Sequence, residues 1–96
     1  MSAHQLRDEL LIADNPVLGQ GVAYVLLVIP DAAPFAIREG IARRRIAATT
    51  GQCPCGAVVD YGTPEEGEVG VGEVRHRRSC PTDTARLIRA YRRWTR

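Results

Sequence analysis

The feature that most constrains this chain is a set of thiol and imidazole groups confined to residues 53–80. Their order is Cys53-x-Cys55, twenty intervening residues, then His76-x-x-x-Cys80, which takes in all three cysteines and one of the two histidines. Structural zinc takes four nitrogen or sulfur ligands in a tetrahedron, and three cysteines with one histidine are among its usual sets. Cys53-Pro54-Cys55-Gly56 reads as a tight turn, in which backbone amides can point at thiolate sulfur. The two ligand pairs flank a predicted hairpin, so closing the hairpin brings them together. Cys80 is expected at the start of the last helix, where the positive helix end favours a thiolate. The expected ligands to Zn2+ are therefore Cys53, Cys55, His76 and Cys80. His4 is left outside the site, as an exposed residue on a first helix.

Other fates of the thiols compete. A Cys53–Cys55 disulfide closes a very small strained ring and leaves Cys80 unpaired. Inert buried thiols are a second possibility, although the surrounding Pro and Gly suit a turn better than a core. A redox pair is a third, but its usual motif has two residues between the cysteines. The one-residue gap is also a departure from the commoner Cys-x-x-Cys knuckle.

A knuckle, a β-hairpin and a ligand at the start of a helix resemble the treble-clef zinc arrangement. The resemblance covers about residues 51–95. It implies a structural zinc and the nucleic-acid or protein binding common in ribosomal and transcription-associated proteins. Thr50-Gly51-Gln52-Cys53-Pro54-Cys55-Gly56, with His76 and Cys80-Pro81, also resembles small zinc-binding proteins of actinobacteria and their phages. The Cys-Pro-Cys-Gly run is similar to SEC-C metal-binding motifs. Those continue with a glycine- and lysine-rich stretch and closely following ligands, which this chain lacks.

At 96 residues the chain is expected to form one domain, 1–96, with an amino-terminal half over 1–50 and a zinc-binding half over 51–96. A domain this small buries roughly 60–70% of its unfolded surface, so its core is thin. In the first half, Ser2 and Gln5 fit a capping box, and Leu6, Leu10 and Ala13 share a face, which predicts a helix over 2–13 stopped by Asn15-Pro16. Gly19 and Gly21 read as turn residues. Val22–Ile29 is apolar and rich in β-branched residues, and predicts a strand buried on both sides and ended by Pro30. Asp31 is the expected N-cap of a second helix, with Pro34 in its first turn, running to about Ala48 and closed by Thr49-Thr50-Gly51. Arg44 interrupts its Ile37–Ile41–Ala48 stripe, and Gly40 weakens its middle.

In the second half, Ala57–Tyr61 and the alternation of Val69, Val71 and Val74 predict the two arms of the hairpin. Between them Glu65, Glu66 and Glu68 make an acidic loop. Pro81 is expected to open a final helix reaching Trp94. The architecture expected is α+β.

Charge is unevenly spread. All 13 basic residues are arginine. Residues 1–36 carry −3, residues 37–74 carry −2, and residues 75–96, with eight arginines against Asp83 alone, carry +7. A GC-rich genome would account for arginine in place of lysine, but not for the clustering. Projected as a helix, residues 84–96 place Leu87, Ile88, Ala90, Tyr91 and Trp94 on one side and Arg86, Arg89, Arg92, Arg93 and Arg96 on the other. Arginine's planar fork grips phosphate oxygens in pairs, so this face, with Arg77 and Arg78, is a candidate surface for nucleic acid. The same face suits an acidic protein surface, or plain solvation. Trp94 and Tyr91, opposite the arginines, are expected in the core.

Four protein ligands leave no open position on the metal, and P-loop, dinucleotide-binding and nucleophile-elbow motifs are absent, so no enzyme is expected. The longest apolar run, Val22 to Ile29, is too short to span a bilayer, and the amino terminus lacks a signal-peptide pattern. A cytoplasmic location is the expectation. The function expected is a small structural-zinc module binding nucleic acid or a transcription or translation complex. The alternative is a zinc-stabilised adaptor for an acidic host protein surface, possibly phage-encoded.

Overall fold

Asn15 begins the first reversal of the chain, because its side chain does the work of a turn. Its Oδ1 accepts the backbone N–H of Val17 at 2.8 Å and of Leu18 at 2.9 Å. Gly19 (φ 107°) then carries the chain back through a left-handed conformation that side chains resist. The result, in a computed structural model that describes residues 6–63, 70 and 72–96, is an antiparallel hairpin of β1 (Asp8–Asn15) and β2 (Gly19–Leu27). The helix expected over 2–13 is therefore overturned from Asp8 onward, and residues 2–5 lie outside the described residues. Leu6, Leu10 and Ala13 fit a helical face, but the same segment alternates. Leu11, Ala13 and Asn15 are drawn into partial or full burial while Leu10 and Ile12 stay exposed. Pairing of Leu10 with Val25 and of Ile12 with Ala23 decides for the strand.

The strand buried on both sides is corrected too. The sheet has two strands among the described residues, and Tyr24 is covered whereas Val25 is 66% exposed. The strand also starts earlier than Val22 and ends at Leu27.

Helix α1 (Phe35–Thr50) starts three residues later than the Asp31 cap implied. Its N-cap is Pro34, whose ring has no acceptor to offer the N–H groups of the first turn. Its end agrees with expectation: Gly51 (φ 87°) returns its N–H to the Ala47 carbonyl at 2.8 Å. Ile37 and Ile41, each 1% exposed, form a core with Ala33, and Leu6, Leu27, Ile29, Ala90, Tyr91 and Trp94 pack around it. Arg44, half-buried, leaves the core stripe by reaching across to the Thr82 carbonyl and Thr84 Oγ1.

Gly40 is a contact rather than a flaw. Thr82, fully buried, donates its hydroxyl to the Gly40 carbonyl at 2.7 Å. A Cβ there would stand 2.7 Å from the Pro81 carbonyl oxygen, so only glycine lets the two segments meet.

The described residues of 51–83 have almost no ladder. Gln52 bridges Val58, and Asp60 exchanges two 2.8 Å hydrogen bonds with Glu73. The expected hairpin is thus reduced to single bridges among the described residues. Val69, Val71, Glu65, Glu66 and Glu68 lie outside them. Helix α2 (Thr84–Trp94) begins three residues after Pro81, because Asp83 turns back onto the Cys80 carbonyl and caps the helix by accepting the Arg86 N–H. Asn15 ties the halves together: its Nδ2 donates to the Tyr24 hydroxyl at 2.8 Å and the Tyr61 hydroxyl at 3.0 Å. Tyr61 in turn donates to the Ala48 carbonyl at 2.7 Å. The architecture is a small α+β fold, and among the described residues no helix is long and apolar enough to cross a membrane.

Candidate metal centre

Two turns build the site. In the first, the Gly56 N–H donates to the Cys53 carbonyl and the Cys53 N–H to the Ala57 carbonyl, each at 2.8 Å. Gly56 (φ 97°) makes that reversal without strain. In the second, the Cys80 N–H donates to the Arg77 carbonyl at 2.9 Å, which sets His76 and Cys80 on one loop. Cys80 therefore belongs to the turn ahead of α2 and not to the helix start. The Asp60–Glu73 bridge closes the span between the two turns.

The four sequence-predicted ligands converge. One donor atom from each of Cys53, Cys55, His76 and Cys80 lies within 4.8 Å of all the others. Cys53 Sγ is 3.7 Å from Cys80 Sγ, and His76 Nδ1 is 3.7 Å from Cys55 Sγ and 3.9 Å from Cys80 Sγ. All three thiols are free, which removes the disulfide reading. A tetrahedron with metal–sulfur bonds of about 2.3 Å sets its sulfurs roughly 3.8 Å apart, so the cage has the dimensions of a metal site. The group can hold a metal ion.

Burial and hydrogen bonding treat the thiols unequally. Burial pushes the Cys53 thiol up to about 11. Backbone N–H groups of Arg77 and Ala57, followed by His76, draw Cys55 down to about 6. Cys55 is thus the first thiolate, and a metal entering the cage must displace the proton of Cys53. Three thiolates around a divalent ion carry a net charge of about −1. Arg43, hydrogen-bonded to Glu39 at 2.8 Å, has its proton held more tightly first by that carboxylate and then by Cys80, and so supplies nearby positive charge. Ala47 of α1 packs with Cys53 and Cys80, and Ala57 and Val59 cover them, which keeps the sulfurs largely from water.

The arginines named from sequence take a different position. Arg86, Arg89, Arg92, Arg93 and Arg96 are exposed on α2 and its end, as are Arg77 and Arg78 on the ligand loop. On the opposite face Leu87, Ala90, Tyr91 and Trp94 are half-buried, and the two rings meet edge-to-face at 6.2 Å. Ile88, at 44% exposed, departs from the predicted apolar side. Among the described residues the ion pairs are Arg43–Glu39 within α1 and Arg45–Glu9 between α1 and β1, and none engages an arginine of α2. Arg86 makes one neutral contact, to the Ser79 carbonyl.

Sequence reading missed Asn15, Gly40 and Thr82 as the joints that place the loops, and missed Phe35 as the exposed aromatic. The signal for Phe35 was its place off the Ile37–Ile41 stripe. No family model, curated protein or solved structure matches the chain.

Proposed function

We propose that this chain is a small zinc-stabilised module that binds nucleic acid, free or within a transcription or translation complex, through the arginine face of α2. Zinc suits three sulfurs and one imidazole nitrogen at tetrahedral spacing. With every position filled by protein, the ion acts as a cross-link between the two turns.

The observation that carries the binding reading is the contrast between the helices. Arg43 and Arg45 of α1 have carboxylate partners at 2.8 and 2.7 Å, while the exposed arginines of α2 have none among the described residues. An exposed guanidinium without a carboxylate partner gives up no ion pair when a phosphate arrives, and its fork donates to two phosphate oxygens at once. Arg77 and Arg78 extend the basic surface toward the metal centre.

Affinity for a labelled duplex, followed by fluorescence anisotropy over a salt series, tests this. Four phosphate contacts give a slope of about −3.6 in log affinity against log salt, and Arg89→Ala or Arg93→Ala should each flatten it by roughly 1. Salt-independent affinity overturns the reading. Retention of one defined protein after nuclease treatment, with no affinity for the duplex, would transfer the arginine face to an acidic protein partner.

A further inference from the structure

Between the start of α1 and the basic face of α2 lies an open cleft of about 370 Å³ that neither the metal centre nor the core uses. Phe35, 69% exposed, stands at one side, and Arg86, Arg89 and Arg93 line the other, with Ala90 among them. The arginines recur at three- and four-residue intervals and so share one stripe of α2. Glu39 is also in the cleft; Arg43 holds its Oε1, and its Oε2 has no partner among the described residues.

Each of these features makes a demand on the ligand. Phe35 offers a flat apolar face that α1 does not bury, because Ile37 and Ile41 fill the core instead. Three guanidiniums without acid partners call for an anion held at more than one point. Glu39 disfavours a carboxylate-rich peptide, yet it can accept hydrogen bonds from an amino group or ring N–H of a base. A ligand alternating flat rings with phosphate charge meets all three demands. In a duplex the faces of the bases are covered by their neighbours, whereas in a single strand a base is free to stack on an aromatic ring.

We propose that this cleft is a single-strand nucleotide site, in which one unpaired base stacks on Phe35 and the flanking phosphates pair with Arg86, Arg89 and Arg93. The inference rests on the reading of α2 as a nucleic-acid surface and adds the strand class and the aromatic contact. Tyr91 and Trp94 pack against the core instead, so the stacking ring comes from the other helix.

The test uses the metal-loaded 96-residue chain with a labelled single-stranded oligonucleotide of mixed sequence and a hairpin duplex of the same composition, at one fixed salt concentration. The single strand should bind more tightly than the duplex. Phe35→Ala should weaken single-strand binding by about 5- to 150-fold, the range of one base–aromatic stack, and leave duplex binding nearly unchanged. Phe35→Trp should restore it. Because Phe35 is exposed, metal content and circular dichroism should show both variants folded. Single-strand affinity untouched by Phe35→Ala but reduced by Arg89→Ala would remove the cleft while keeping the α2 surface. Failure of the wild-type chain to bind either oligonucleotide overturns both.

Discussion

Residues 8–50 close around Ile37 and Ile41 with a paired hairpin and a sixteen-residue helix, whereas residues 51–83 offer only the Gln52–Val58 and Asp60–Glu73 bridges among the described residues. The first region has backbone ladders and apolar burial to set against the entropy of ordering. The second has little of either among its described residues: Thr82, Cys53 and Cys80 are its most buried side chains, and the apolar neighbours of the two thiols are alanines and Val59. Fixing a backbone residue costs about 1–2 kcal/mol, so a segment this poor in ladders needs a cross-link. A structural zinc is such a cross-link, and contributes on the order of 10 kcal/mol to folding. The two regions thus share a fold but not a source of stability.

Removing the metal should separate them most sharply. Chelation, or Cys80→Ser, should abolish amide-exchange protection at Cys53, Val59 and Asp60, the donors of the first turn, of the bond to the Gly51 carbonyl and of the bridge to Glu73. The loss is about 10 kcal/mol of folding free energy in the second region. Amides of α1 between Ile37 and Ala47 should keep partial protection. Uniform loss across the chain would mean that the apolar region cannot stand alone. The reverse perturbation is Ile41→Ala, which truncates a side chain 1% exposed and should cost about 2–5 kcal/mol in a denaturant melt of the loaded protein. Metal stoichiometry should stay at one per chain. Loss of metal in this variant would erase the distinction between the regions.

How much of this was legible in the sequence follows the same division. The ligand set was, because its chemistry is local: a Cys-x-Cys turn and a His-x-x-x-Cys loop need only meet. The glycine end of α1 and the two faces of α2 were legible for the same reason, being set within a turn or two of helix. The first strand was not. Leu6, Leu10 and Ala13 satisfy a helical period, and only pairing with residues 19–27 makes the alternation of Leu10 and Ile12 prevail. Gly40 looked like a weak point because its reason, the approach of Pro81 and Thr82, lies some forty positions away. The double burial expected of Val22–Ile29 failed because none of the described residues forms a second layer over Val25.

The smallest expected effect concerns protons. Below about 11 the buried Cys53 keeps its proton until a metal displaces it, and below about 6 Cys55 regains one as well. Protons compete with the metal, so zinc affinity must fall as pH falls. Cys53 alone contributes about tenfold per pH unit, roughly 1.4 kcal/mol, and the dependence steepens below about 6 as Cys55 adds its own proton. Competition with a chromophoric chelator between pH 5 and 8 measures this. A flat profile would show that thiolates are not the ligands.

The most direct test of the central claim is native mass spectrometry of the chain titrated with zinc, wild type beside Cys80→Ser and His76→Ala. One ion per wild-type chain is expected, and none retained at stoichiometric zinc by either variant, because the four donors act as a single cage. A wild-type chain that takes up no ion, or variants that each bind one as tightly, would contradict it.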